Sequence, residues 1–425
     1  MLAAHSALGV AAAALLYLVC LTGTVAVFAD ELSQLELSGA PRVEQASPVA
    51  IRRAAEAVQA RVGPTRTSWV TMPTPERPYL IVSTRGADDR HWIADAEGRI
   101  VRTVRESWTD FLVGLHADLH VPGTAGHMLV GLTGVVLMAL VVGGLLAHPG
   151  LVKDAFRLRL CRAPRTRQAD LHNRGGVWSL PFLFVLGLSG ALMGLSAVLI
   201  GGIAGAGLAG GPAAASAAVL GPRAPKAEGA APLPDLGALA ARMRTVAPHA
   251  ELGGLVVFAP GTAAQTVRAD VKLPGRLAFG DRYFFDGALR PLRDTSLLDS
   301  AAGLPVYAGL VALHFGGFGG LPIKIAYALL GLAACGIIHT GMRLWFLRRR
   351  RDAVAGPFER LWTALAWGTP LALAASFPGQ AWLGLPPVAL FYGFVMAALL
   401  AAAVRSRPGR SGPAGSSGRA ASSAG

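Results

Sequence analysis

Apolar runs separated by two long mixed stretches set the plan of this chain. The runs extend roughly from Ala7 to Phe28, Thr124 to Leu146, Val177 to Ile203 and Leu321 to Leu347, with a closing pair over Leu361 to Phe377 and Leu385 to Val404. Each approaches the ~20 residues that span a hydrocarbon core, so six membrane spans are predicted. The mixed stretches show other periods. In the first, "SPVAIRRAAEAVQARV" puts Ala and Val on one helical face and Arg52, Arg53 and Glu56 on the other. "YLIVSTR" and "HWIADAEGRIVRTV" then predict strands. In the second, "DLGALAARMRTVAPHA" predicts a helix, and "GLVVFAP", "AQTVRADVKL" and "DRYFFDGALRPLRD" predict strands.

The predicted fold is a polytopic α-helical membrane protein. Four spans form a core bundle, a C-terminal helical hairpin follows, and two small α+β domains lie outside. The expected boundaries are 1–28 (first span), 29–115 (first outside domain), 116–148 (second span), 149–174 (basic loop), 175–205 (third span), 206–315 (linker and second outside domain), 316–350 (fourth span), 359–404 (hairpin) and 405–425 (disordered tail). The Gly/Ala/Pro stretch 201–233 reads as a flexible exit from the third span.

Composition agrees with a membrane class. Hydrophobic residues make up 53% and charged residues 15%, with mean hydropathy +0.48. The first run lacks a basic leader and exceeds a signal-peptide core, so it reads as an uncleaved span. Charge then fixes orientation. Lys153, Arg157, Arg159, Arg162, Arg165, Arg167 and Arg174 follow the second span, and "RLWFLRRRRD" ends the fourth. Positive residues stay cytoplasmic, so both termini are expected inside and both mixed stretches outside, in a bacterial inner membrane. The net charge of +14 is largely this bias, which disfavours nucleic-acid binding. Cys20, Cys161 and Cys335 lie outside the mixed stretches, and no CxxCH or cysteine cluster occurs, so covalent haem and iron–sulfur centres are not expected.

The two halves echo each other. "AHSALGVAAAALLYLVCLTG" matches "LHNRGGVWSLPFLFVLGLSG" in plan, and "LHADLHVPGTAGHMLVGLTGVVL" parallels "LHFGGFGGLPIKIAYALLGLAAC". Internal duplication is the economical reading. With two outside domains of helix-then-strands form, these pieces resemble the PepSY-associated transmembrane family, also described as iron-regulated membrane proteins and including ferrisiderophore reductases. The resemblance covers roughly residues 1–350. It departs from the family pattern at His127, where relatives carry Arg, and at "NRGG" after His172. It implies PepSY-like periplasmic domains, an iron-related activity, and a ferric siderophore or similar chelate as substrate.

Ten histidines complete the picture. His91 and His249 lie in the mixed stretches and read as local structural residues. His116, His120, His127 and His314 fall near the outer span ends; His5, His148, His172 and His339 fall near the inner ends. Ionisable groups at membrane depth are costly and face a bundle interior. Imidazole is an axial ligand for b-type haem held between helices, so two layers suit two haems, one per leaflet. His116 with His314 is the preferred outer pair, since both occur as "LH" at equivalent points. His127 is the runner-up, and His120 shares the face of His116. His5 and His172 are the inner repeat equivalents, with His339 a third candidate. His148, before Pro149, fits an interfacial role. The Thr22-Gly23, Thr133-Gly134, Ser189-Gly190 and Thr340-Gly341 pairs read as small-residue packing sites. No nucleotide or flavin signature occurs, so a quinol or a separate cytoplasmic reductase must supply electrons. Two other readings stay open: a haem-free binding or regulatory protein, and a solute transporter, which the scarcity of carboxylates in the spans disfavours.

Overall fold

The computed structural model describes the chain apart from residues 87–88, 106, 148–149, 151–154, 157–162, 208–210, 223–227, 278–279, 294–295, 297–298, 300–302 and 405–425. His148, Cys161, four of the loop cations (Lys153, Arg157, Arg159, Arg162) and the C-terminal tail therefore lie outside the described residues.

The first segment is α1 (Leu2–Ala26), followed by the short α2 (Ala29–Glu36) and α3 (Pro48–Val62). Helix α3 starts on Ser47, whose hydroxyl accepts from Ala50 N at 3.1 Å, with Pro48 at a position where a missing N–H costs nothing. It stops at Gly63, φ 67°. Strands β1 (Thr67–Thr71), β2 (Leu80–Arg85), β3 (Arg90–Ala94) and β4 (Ile100–Val104) lead to α4 (Trp108–Ala117) and α5 (Thr124–Ala147). The second segment runs α6 (Pro164–Trp178), α7 (Leu180–Gly194), α8 (Ser196–Gly205), α9 (Pro212–Leu220) and α10 (Leu236–Val246). Then come β5 (Glu251–Phe258), β6 (Thr266–Lys272), β7 (Gly280–Asp286), α11 (Gly303–Phe315) and α12 (Gly320–Arg348). The hairpin is α13 (Ala355–Leu383) and α14 (Pro387–Val404).

The mixed stretches do not form two separate domains. All seven strands make one antiparallel sheet, ordered β4-β3-β2-β1-β5-β6-β7. The seam is β1 against β5, with Trp69 opposite Val256. Helices α3 and α10 share one face of it and one core, in which Ala50, Ala54, Leu80, Leu239, Leu255 and Val267 are fully buried. The helices cross closely: a Cβ on Gly237 would lie 2.1 Å from the Pro48 carbonyl oxygen. Each half alone offers a three- or four-stranded sheet with one covering helix, a small core for an independent domain. Joining them merges two cores into one.

The halves also repeat a turn. Asp95 Oδ1 accepts from Glu97 N and Arg99 N, and its Oδ2 from Arg99 Nε at 2.8 Å. Asp286 does the same with Ala288 N, Arg290 N and Arg290 Nε at 2.8 Å. These bonds outweigh the effect of burial and hold both carboxyls below the usual carboxylate range.

Four described helices are long and apolar enough to cross a membrane: α1, α5, α12 and α14. The expected third span is not one straight helix. It is the pair α6–α7, bent by 67° at Ser179, with a further break at Leu195 before α8. Pro181 sits in the first turn of α7, where it ends the preceding ladder and suits a new start. Helix α13 is longer than the expected span, 29 residues, and carries Pro370 and Pro378 inside it; it falls short of the other four in apolarity. Pro370 cannot donate to the Ala366 carbonyl one turn back. Tyr17 of α1 supplies that bond instead, its hydroxyl donating to Ala366 O at 2.7 Å in a buried contact.

Close glycine contacts set the bundle. Gly131 of α5 meets the backbone of Gly194, and Gly134 meets Ala191 N and Gly187 O of α7, at Cβ distances of 2.7–3.0 Å. In the other half, Gly331 of α12 meets Thr24 of α1. Thr24 follows Thr22-Gly23 as Ala191 follows Ser189-Gly190, so the α12–α1 contact has its counterpart in α5–α7.

Helix α4 joins sheet and bundle. Glu36 of α2 accepts from Trp108 N and Thr109 N, satisfying orphan donors of its first turn. Trp108 Nε1 donates to Ser376 Oγ of α13 at 2.8 Å, within an apolar cluster that includes Leu112, Leu115, Leu373 and Phe391. Lys324 of α12 is buried and donates to both carboxylate oxygens of Glu31 at 2.9 Å.

Candidate functional site

Four of the histidines meet in two pairs. His116, near the end of α4, and His314, near the end of α11, have ring centres 6.0 Å apart and planes 33° apart. His5 of α1 and His172 of α6 have ring centres 6.2 Å apart and planes 76° apart. Both pairs are tied to α1: it carries His5, and His116 rests on Val19 and Gly23. At 1.5 Å per residue, His5 and Gly23 are about 27 Å apart along that helix. The pairs thus occupy opposite ends of the bundle.

The same device seats three of the rings. His116 Nδ1 donates to the Val19 carbonyl at 3.0 Å, and its Cε1 lies over Gly23. His172 Nδ1 donates to the Ile337 carbonyl at 2.8 Å, and its Cε1 lies over Gly341. His314 Nδ1 lies 2.9 Å from Ser189 Oγ, and its Cε1 lies over Gly190. The Ser189 hydroxyl donates to Val185 O at 2.6 Å, so it accepts from the imidazole. A Cβ on Gly23, Gly341 or Gly190 would stand 2.6, 3.0 or 3.3 Å from the ring. His5 follows a variant: its Cε1 packs on Gly144 of α5, and its buried Nδ1 faces the Leu140 carbonyl outside hydrogen-bond geometry.

The tautomer follows from these partners. In the neutral form, a ring whose Nδ1 donates to a carbonyl or hydroxyl has an unprotonated Nε2. That nitrogen is free to bind a metal, and the Nδ1 bond fixes ring orientation. Two imidazoles bound on opposite sides of one metal at ~2 Å have ring centres roughly 6 Å apart. The observed separations fit that arrangement. Among the described residues no group of three or more His, Cys, Asp or Glu could hold a metal ion. Each pair could supply two nitrogen ligands, so a metal held there would need its remaining ligands from elsewhere.

The His5–His172 pair borders a cavity of about 350 Å³, walled by Leu137, Leu140, Leu180, Leu183, Ile337 and Met342. This falls in the range of small-molecule sites. Asp170 and Arg174 flank His172 on α6 as a buried ion pair at 3.5 Å.

The other candidates go elsewhere. His120 stacks on Phe111 at 5.3 Å and 4°, with Nε2 donating to Phe111 O at 2.8 Å. His127 is exposed at the start of α5. His339 lies against Trp362 of α13, ring centres 6.2 Å apart. His249 is exposed. His91 is more than a local residue. It bonds Ser83 Oγ at 2.8 Å and Asp110 Oδ2 of α4 at 2.6 Å, bridging sheet and bundle. The glycine seats were not recognised from sequence, although the Thr/Ser-Gly pairs that form three of them stand out as a recurrent motif; Thr133-Gly134, the fourth such pair, packs helix on helix instead.

Residues 2–348 match the model of the PepSY-associated TM region. The chain belongs to that family. An uncharacterized protein of Pseudomonas aeruginosa is 31% identical over 310 residues, covering 67% of this chain and 74% of its own length. The family match ends with α12, so the hairpin α13–α14 lies beyond the matched PepSY-associated region.

Proposed function

We propose that this protein is a dihaem electron carrier of the bacterial inner membrane that reduces a ferric siderophore or similar ferric chelate on the periplasmic side. The supporting observation is the presence of two imidazole pairs, 6.0 and 6.2 Å between ring centres, at opposite ends of α1. In this reading His116 and His314 hold the outer b-type haem, and His5 and His172 the inner one. Bound haem supplies one-electron redox chemistry within a hydrocarbon core that is otherwise an insulator. The chain's own residues do the rest. Val19, Ile337 and Ser189 fix the imidazole tautomers; Gly23, Gly190, Gly341 and Gly144 make room for the rings; Leu and Ile side chains exclude water from the inner site.

The matched contacts of α1–α12 with α7–α5, and the matched Asp–Arg turns, favour descent from a duplicated unit. The basic ends of α6 and α12 favour a cytoplasmic N-terminus, with the sheet outside. A quinol or a separate cytoplasmic reductase serves as donor. One quinol oxidised to the quinone releases two protons and two electrons, enough for two ferric ions. Reduction frees the iron because hard oxygen donors hold Fe(III) far better than Fe(II).

A dithionite-reduced minus oxidised spectrum with a pyridine haemochrome count tests this. Two b-type haems per chain are expected, with His116→Ala or His314→Ala removing one and His5→Ala or His172→Ala the other. Protein free of haem after expression with ample haem overturns the proposal.

A further inference from the structure

A cavity of about 1470 Å³ lies between the open face of the first half-sheet and the ends of α2, α4 and α13. It exceeds the ~300–1,000 Å³ of ordinary small-molecule pockets, so it accommodates a large ligand. Five arginines border it, Arg77, Arg85, Arg90, Arg102 and Arg105, along with the carboxylates Asp30, Glu36, Asp89 and Asp110.

The count of charges is nearly even, but their employment is not. Every one of these carboxylates serves the fold. Asp30 faces Lys324 at 3.8 Å and Arg77 at 4.0 Å. Glu36 accepts from the first turn of α4. Asp89 accepts from Gly86 N at 2.8 Å and lies 4.0 Å from Arg85 Nε. Asp110 bonds His91 at 2.6 Å and Ser107. By contrast, Arg85 is 72% exposed and lies over the Trp69 ring at 5.4 Å; its ion pair with Asp89 is long, Nε to Oδ2 at 4.0 Å, which leaves its terminal N–H groups toward the cleft. Arg102 reaches only the Ser38 and Glu36 carbonyls, at 3.4 and 3.3 Å. The cleft thus offers guanidinium donors beside aromatic faces and has its acceptors already engaged. Such a wall selects ligands rich in anionic oxygens and flat rings.

The position matters as well. Asp110 borders the cleft and His116 belongs to the outer pair. Six residues of α4 separate them, about 9 Å along the axis.

We infer that this cleft docks an anionic ferric chelate with aryl-oxygen (phenolate or catecholate) donors, recognised by Arg85 on Trp69 and by Arg102, and discriminates against neutral hydroxamate chelates. The inference rests on the reductase reading for its iron. Docking leaves the ferric centre unchanged; the one electron that takes Fe(III) to Fe(II) then comes from the outer site.

Binding of redox-inert gallium(III) chelates to the full-length protein in nanodiscs, followed by tryptophan fluorescence or calorimetry, tests docking apart from electron transfer. The trianionic gallium tris-catecholate is expected to bind at least ten-fold tighter than a neutral gallium tris-hydroxamate, and to weaken with salt. Arg85→Gln and Arg102→Gln each reduce affinity several-fold, Arg85→Lys retains part of it, and Arg53→Gln on the exposed face of α3 leaves it unchanged. Equal or tighter binding of the neutral chelate, or indifference to Arg85 and Arg102 in variants of unaltered Tm, overturns the inference. Catecholate binding by a protein that lacks haem keeps the docking site and discards the reductase. Haem without catecholate binding does the reverse.

Discussion

Gly23→Ala probes the seat of the outer histidine. The new methyl falls 2.6 Å from His116 Cε1, where ordinary contact begins at 3.4 Å. The ring must retreat by the difference, about 0.8 Å, because rigid helices do not part for one methyl. The 3.0 Å bond to Val19 O is lost with that movement. A lost hydrogen bond costs about 1 kcal/mol, and an off-rotamer imidazole about as much again. Together, about 2 kcal/mol corresponds to roughly a 30-fold loss in affinity for the outer cofactor. That agrees with the ~10–100-fold effect of disturbing groups that orient metal-bound histidines. The assay is haem occupancy of the purified variant titrated with hemin, read by difference spectra. The outer haem should weaken and the inner one persist, while Gly341→Ala, with a methyl 3.0 Å from His172 Cε1, should do the opposite. Gly9→Ala is the control, since its methyl meets only Leu140 Cδ2 at 3.7 Å. Full occupancy of both haems in Gly23→Ala, with unaltered affinity, would refute the reasoning.

Three further outcomes test other joints of the structure. Gly98→Ala places a Cβ 2.3 Å from Ala50 O at φ 78°, so Tm should fall by an amount matching more than ~1–2 kcal/mol; an unchanged Tm contradicts the packing of that turn under α3. Lys324→Met strands the Glu31 carboxylate, itself partly exposed, and should destabilise the protein by about 1–3 kcal/mol in a nanodisc melt, with Glu31→Gln milder; equal stability of Lys324→Met and the parent argues against the bridge. Burial raises the Asp110 carboxyl, but the His91 hydrogen bond and charge, with Ser107 and Arg85, outweigh it and hold the group below its usual range. A depressed carboxyl lends stability that is present above its unfolded value, ~3.9, and is lost as pH falls through the folded one. Acid melts should therefore show a smaller loss below about pH 4 in Asp110→Asn than in the parent; parallel curves remove the strut between sheet and α4.

The apolar helices were legible in the sequence because a hydrophobic run is a local signal. It placed the imidazoles near span ends, and the "LH" repeat drew attention to His116 and His314. What it concealed was non-local. Strand β1, "TSWVT", is five residues without strong alternation, so its sequence does not announce a strand, yet it joins the half-sheets. Its partner β5 lies far along the chain, and nothing in either stretch announces the pairing. The bend at Ser179 was hidden for a related reason: the apolar run is continuous there, and only Pro181 hints at a new start. The glycine seats illustrate a third limit. Thr22-Gly23 looks the same as Thr133-Gly134 in sequence, but one holds a ring and the other a helix, which depends on the neighbour across the bundle.

The seam between β1 and β5 also sets a clock for synthesis. Strand β1 emerges about 180 residues before β5, an interval of roughly 10–40 s at ~5–20 residues per second. Throughout it, β1 has only β2 beside it, and its other edge is bare. Bare edges invite foreign strands. The chain between them includes α5, α6 and α7, which must be threaded before β5 can arrive. Closure of the sheet is thus a late event that certifies the insertion of everything before it. A nascent chain stalled in the bundle would display its unfinished edge to whatever protease or chaperone patrols that side.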